Sequence, residues 1–126
     1  MNKSLIIAAG LVVVLILSNC QQQPFIQGQR IYEVNCENCH MADGRGLGVM
    51  YPDITKSSYL TTRSSELPCL IINGKEGQIM DNVDMPPNNT LTPVGMNNLI
   101  NYLNHTWGDK TISNLNEIRE LIDGCQ

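Results

Sequence analysis

At 126 residues the chain has room for one domain and a short targeting segment. Apolar residues make up 42%, near the globular norm, while charged residues make up only 16%. With one Trp and one Phe, a core built from protein alone would be thin, and a formal net charge of −4 excludes the basic footprint that nucleic-acid binding needs.

The chain opens on a short basic start, Asn2-Lys3, followed by an apolar run from Leu5 to Leu17. That run is shorter than the about 20 residues needed to cross a bilayer as a helix. Leu17-Ser18-Asn19-Cys20 comes next, then the polar Gln21-Gln22-Gln23. A basic start, a short apolar region and small residues ahead of a cut describe a secretory signal. A cysteine at the cut resembles the bacterial lipoprotein pattern, which implies a diacylated Cys20. The expected organisation is a signal over 1–19, a lipidated tether over 20–27 and one folded domain over 28–126. It puts the domain outside the cytoplasm, on the periplasmic side, with two or more acyl chains for stable anchoring to the membrane.

From Gly28 to Asn35 no helix breaker occurs. Gly28, Tyr32 and Cys36 are spaced by four and share one helix face, where the glycine permits a close crossing by another helix. Cys36-Glu37-Asn38-Cys39-His40 is a C-x-x-C-H motif. Two thiols on one turn reach the two vinyl groups of a porphyrin, and the following imidazole reaches the iron. A redox dithiol or half a zinc site are the rival readings of C-x-x-C. No second C-x-x-C or His pair closes a zinc site, and no strand precedes the motif. The motif therefore points to one covalently held haem c. Asp43-Gly44-Arg45-Gly46-Leu47-Gly48 then reads as a loop, because three glycines in five residues suit neither helix nor strand. A metal-bound histidine donates its other ring N–H to an acceptor, and the carbonyl of Pro52 is the candidate.

A high-potential carrier uses methionine as the second axial ligand. Of six methionines, Met1 lies in the signal, Met41 adjoins His40, Met50 belongs to the loop on the His40 side, and Met96 has core spacing in a later helix. Met80 and Met85 remain. Asp84-Met85-Pro86-Pro87 is stiffened by paired prolines that bar helix, and this favours Met85. Met80 reads as packing.

Further on, Ser64 to Gly74 predicts a helix with serine caps at its front. Thr92-Pro93 predicts a helix start, and Met96, Leu99, Ile100, Leu103 and Trp107 form its apolar face. His105 lies off that face and reads as a surface residue. Ile112, Leu115, Ile118 and Leu121/Ile122 predict a last short helix.

These residues together resemble the class I cytochromes c, within a small bacterial domain type. Gly28, Tyr32, Cys36-x-x-Cys39-His40, Gly44-x-Gly46, Tyr51-Pro52-Asp53-Ile54, Ile72-x-Gly74, Met85-Pro86-Pro87, Tyr102-Leu103 and Trp107-Gly108 carry the resemblance. It implies an all-α cytochrome c fold, with about three main helices and a short C-terminal one around one haem. It implies that Cys36 and Cys39 hold the haem, that His40 and Met85 bind iron, and that Pro52 orients His40. It also implies that the first helix crosses the last long one at Gly28 and Tyr32, against Tyr102. The expected role is single-electron transfer rather than catalysis, with a haem-based gas binder in which Met85 dissociates as the alternative. Related domains serve nitrite reductases, alcohol dehydrogenases and terminal oxidases, so redox proteins are the expected partners. Cys69 and Cys125 are not needed for haem. Spare cysteines in an oxidising compartment most often pair, so a Cys69–Cys125 disulfide is expected, with two free thiols as the alternative.

Overall fold

The computed structural model describes residues 24–76 and 83–125. The proposed signal, Cys20 and Met80 lie outside these. Five α-helices are present among the described residues: α1 (Ile26–Asn35), α2 (Glu37–His40), α3 (Leu67–Asn73), α4 (Pro93–Thr106) and α5 (Leu115–Asp123). Three 3-10 turns, Ile54–Lys56, Ser58–Leu60 and Ser64–Glu66, connect α2 to α3. No strand occurs among the described residues. Two isolated bridges, Leu47 with Tyr51 and Lys75 with Met85, are the extended pairings. The fold is the all-α type expected, and no described helix is long and apolar enough to cross a membrane.

The central contact is α1 against α4. Gly28 makes it possible. An ideal Cβ there would lie 2.0 Å from the Asn98 carbonyl oxygen and 2.6 Å from the Tyr102 Cβ. One turn further, Tyr32 is 1% exposed. Its ring lies 5.8 Å from that of Tyr102 and 5.2 Å from that of Trp107, in the offset and edge-on geometries that aromatic quadrupoles favour. α4 starts where Thr92 and Pro93 predict, with the Thr92 hydroxyl accepting from the Gly95 N–H at 3.1 Å. Met96, Leu99, Ile100 and Leu103 are buried and join Tyr32, Leu60, Leu67, Ile71 and Ile118 in one core. Methionine 96 is thus core filling.

Two boundaries differ from expectation. α1 begins at Ile26, not Gly28, after Phe25 in a left-handed conformation. The segment 64–74 is not a single serine-capped helix. Ser64–Glu66 is a 3-10 turn and α3 starts at Leu67, with no side-chain cap bond. Pro68 explains the shift, because a residue without an N–H is tolerated in the first helical turn and not deeper.

α5 packs on α4 and α3. The connection into it folds over α4, where Asn101 and Asn104 are buried. Asn101 accepts from the Ser113 N–H at 2.8 Å and donates to the Ser113 carbonyl at 3.1 Å, and Asn104 donates to the Thr111 carbonyl at 3.2 Å. These bonds compensate the burial of the Asn101 amide and of the Asn104 amino group, while Asn104 Oδ1 is buried with no hydrogen-bond partner among the described residues. Asn114 then caps α5, accepting from the N–H groups of Asn116 and Glu117. Cys69 of α3 and Cys125 beyond α5 are joined, with Cα atoms 5.1 Å apart.

Candidate functional site

The C-x-x-C-H stretch is a single helical turn that continues from α1. The Cys36 N–H donates to the Tyr32 carbonyl at 2.8 Å, and the His40 N–H donates to the Cys36 carbonyl at 2.9 Å. This turn brings Cys36, Cys39 and His40 together. Both thiols are free and half-buried. Burial, then the neighbouring Cys39, pushes the Cys36 thiol up to about 11. A redox dithiol needs the opposite, a thiol lowered so that thiolate forms at neutral pH. Among the described residues no group of three His, Cys, Asp or Glu is placed to hold a metal ion, which leaves half a zinc site without its other half.

The chain leaves this turn sharply. Met41 has a φ of 62°, and the Tyr32 hydroxyl donates to the Met41 carbonyl at 2.7 Å. The loop then folds back on the motif. The Gly46 N–H donates to the His40 carbonyl at 3.0 Å, and the Ile54 N–H donates to the Gly44 carbonyl at 2.9 Å. This return carries the Pro52 carbonyl to 3.4 Å from His40 Nδ1. The contact is long, but it assigns the proton to Nδ1 and leaves the Nε2 lone pair for a metal. Burial holds the His40 imidazole below its usual range, with the Pro52 contact opposing. The ring is therefore neutral near pH 7, the state a metal-binding imidazole requires.

Met85 is half-buried and packs against the core. Its backbone is fully engaged. The Met85 N–H donates to the Lys75 carbonyl at 2.8 Å, and the Met85 carbonyl accepts from the Lys75 N–H at 2.9 Å. Three residues on, the Asn88 N–H donates to the Ile71 carbonyl at 2.9 Å, and the Asn88 side-chain amide donates to Asn35 Oδ1 at 3.1 Å. Asn35 immediately precedes Cys36, so Asn88 ties the Met85 segment to the end of α1 beside the motif. Asn88 was not legible as a site residue. Its only sequence signal is an Asx turn, in which Asn88 Oδ1 accepts from Thr90, and that turn says nothing of a partner 53 residues away. His105 is exposed, and its ring lies 4.9 Å from that of Phe25 with the two planes tilted by 43°.

The cytochrome c family profile matches residues 25–107. The chain belongs to the cytochrome c family. No individual curated protein matches it. As a cytochrome c it binds haem c covalently and carries electrons. The described residues fit that group by their chemistry: two unpaired thiols on one turn, a neutral imidazole with a committed Nδ1, and exposed apolar side chains nearby in the chain. Leu47, Val49 and Met50 after His40, and Val83 before Met85, are the large apolar residues exposed in the two loops. The match ends at Trp107, so α5 and Cys125 lie beyond the matched residues while Cys69 lies within them.

Proposed function

We propose that this cytochrome is a single-electron carrier in which Cys36 and Cys39 form the thioether bonds to haem c and His40 and Met85 are the axial ligands of its iron. When bound, the haem supplies an iron that cycles between ferrous and ferric. The chain's own residues do the rest. The Cys36–His40 turn fixes the attachment points. The Pro52 carbonyl holds the His40 ring by its Nδ1 proton. The Met85–Asn88 segment, pinned at both ends of its backbone, presents a weak thioether without the freedom to swing away. Methionine as a ligand and an apolar surround both favour the ferrous state.

The observation that carries this reading is the Asn88–Asn35 contact, which draws the stiff Met85-Pro86-Pro87 stretch to the residue before Cys36. The test is the oxidised spectrum of the holoprotein beside that of Met85→Ala. Wild type should show the long-wavelength thioether-to-ferric charge-transfer band, and the variant should lack it. A wild type without that band lacks the Met85 ligation, and rapid carbon monoxide binding to its ferrous form favours the gas binder over a carrier of this kind.

The reading extends to place and partners. Leu17-Ser18-Asn19-Cys20 supports an exported lipoprotein with its lipid on Cys20, tethered to the periplasmic face of a membrane by the short stretch between Cys20 and the start of α1. Mass spectrometry of the mature N-terminus tests it: a chain starting at unmodified Met1 or Cys20 would refute it. The partners are an electron donor and an acceptor, a terminal oxidase, nitrite reductase or dehydrogenase among the candidates, met through a small transient interface.

A further inference from the structure

Cys69 and Cys125 take no part in haem attachment, yet the structure connects them to the segment that carries Met85. The connection runs through α3. Cys69 sits in its first turn, and Cys125 is bonded to it from beyond α5. At the other end of α3, Gly74 has a φ of 71° and lies so close to the next segment that a Cβ would be 2.3 Å from the Met85 carbonyl oxygen and 2.8 Å from the Pro87 nitrogen. Immediately after it, Lys75 pairs with Met85 through both backbone hydrogen bonds, while the Ile71 carbonyl accepts from Asn88. Every backbone hydrogen bond described for Met85 and Asn88 therefore ends on α3 or on the residue after its cap.

α3 is a poor foundation alone. It has seven residues and no side-chain N-cap bond, and helices this short have no independent stability. What fixes it is burial of Leu67 and Ile71, contact with α4 and α5, and the covalent tie to Cys125. α5 is in turn held by Ile118, which is 1% exposed, and by the Asn101 and Asn104 bonds to the segment ahead of it. All of that scaffold beyond Trp107 lies outside the matched family domain.

We infer that the Cys69–Cys125 disulfide and α5 form a positioning clasp for the axial methionine: they lock α3, and α3 sets where the Met85 backbone lies. The inference rests on the proposed ligation by Met85. With the clasp open, α3 is free to shift as a unit and the Met85 segment shifts with it. An external ligand then competes more easily for the position that Met85 holds.

The experiment uses the full-length ferric holoprotein and the variant with Cys69→Ser and Cys125→Ser together, which leaves no spare thiol to mispair. Imidazole is titrated against the thioether charge-transfer band well below the unfolding temperature, with the far-ultraviolet dichroism checked as unchanged. The clasp predicts that the variant binds imidazole about tenfold more tightly, and that the Met85 and Asn88 amides exchange hydrogen about tenfold faster than in wild type. A merely stabilising disulfide would leave the imidazole affinity of the folded protein unchanged, and would speed exchange across the core amides alike rather than selectively at Met85 and Asn88. Should the double variant fail to accumulate, wild-type holoprotein is treated with a phosphine reductant, alkylated with iodoacetamide, reoxidised at iron with ferricyanide and titrated in the same way. Unchanged imidazole affinity, with the band present in wild type, overturns the clasp alone. A wild type that never shows the band overturns the ligation by Met85 and the clasp with it.

Discussion

A methyl group at Gly28 would meet the Asn98 carbonyl oxygen at 2.0 Å, and that oxygen belongs to helix backbone that cannot rotate away. Alanine is the better helix former by about 1 kcal/mol, so the two effects oppose. Overpacking against backbone wins here, since relief requires α1 and α4 to separate and the Tyr32, Tyr102 and Trp107 rings to lose contact. Gly28→Ala should destabilise the holoprotein by about 1–3 kcal/mol in urea unfolding. Tyr32 offers a second residue-scale test. Burial, more than its acidic neighbours, raises the pKa of its phenol above the ordinary range. A raised phenol pKa contributes stability that is fully present below the unfolded-state value and is lost as pH climbs towards the folded-state one. Stability of wild type should therefore fall above about pH 10, and Tyr32→Phe should flatten that fall while costing about 1 kcal/mol at neutral pH through the Met41 carbonyl it leaves unbonded.

The helices show which signals a sequence carries and which it does not. Thr92-Pro93 marks the start of α4 because cap and helix lie within three residues of one another. The C-x-x-C-H turn is equally local. The 3-10 turns after Pro52 also have local causes, with Asp53 and Ser57 side chains accepting from Thr55 and Tyr59 amides, and were legible in principle as turn chemistry. α3 starts at Leu67 rather than after Ser64 because serine caps and Pro68 compete within five residues, and proline imposes the harder constraint. Long-range pairings were out of reach. Lys75 with Met85 and Asn88 with Asn35 depend on segments meeting in space. Asn101 and Asn104 are polar residues of α4, yet they are buried because the segment after Trp107 folds over them. Its end is testable. Asn114→Ala removes the acceptor for two amides at the start of α5 and should lower stability by about 1 kcal/mol, read as a lower urea midpoint at unchanged slope.

For the molecule as a whole, two covalent devices surround a modest core. The Cys69–Cys125 bond closes a loop across a separation of 56 residues. In the chain-entropy account such a loop is worth about 4 kcal/mol, so the double serine variant should show a correspondingly lower denaturation midpoint. The net charge of −4 acts at longer range. Opposite charges attract, and salt screens that attraction within about 10 Å at 0.1 M. Reduction of tris(phenanthroline)cobalt(III), a cation and a stronger oxidant, should therefore slow as ionic strength rises, whereas reduction of ferricyanide, an anion, should quicken. Stopped-flow rates across a salt series would reverse that assignment if both moved the same way.

The crossing of α1 and α4 also sets an order of events as the chain is made. α1 has ten residues, too few to persist by itself, and the surface that buries Gly28 and Tyr32 arrives with Asn98 and Tyr102, about seventy residues later in synthesis. Until then, Cys36, Cys39 and His40 lie at the end of a helix whose packing partner has not yet been made. Cys125 emerges last of the five cysteines. Its bond to Cys69 therefore closes only once the whole domain has been made.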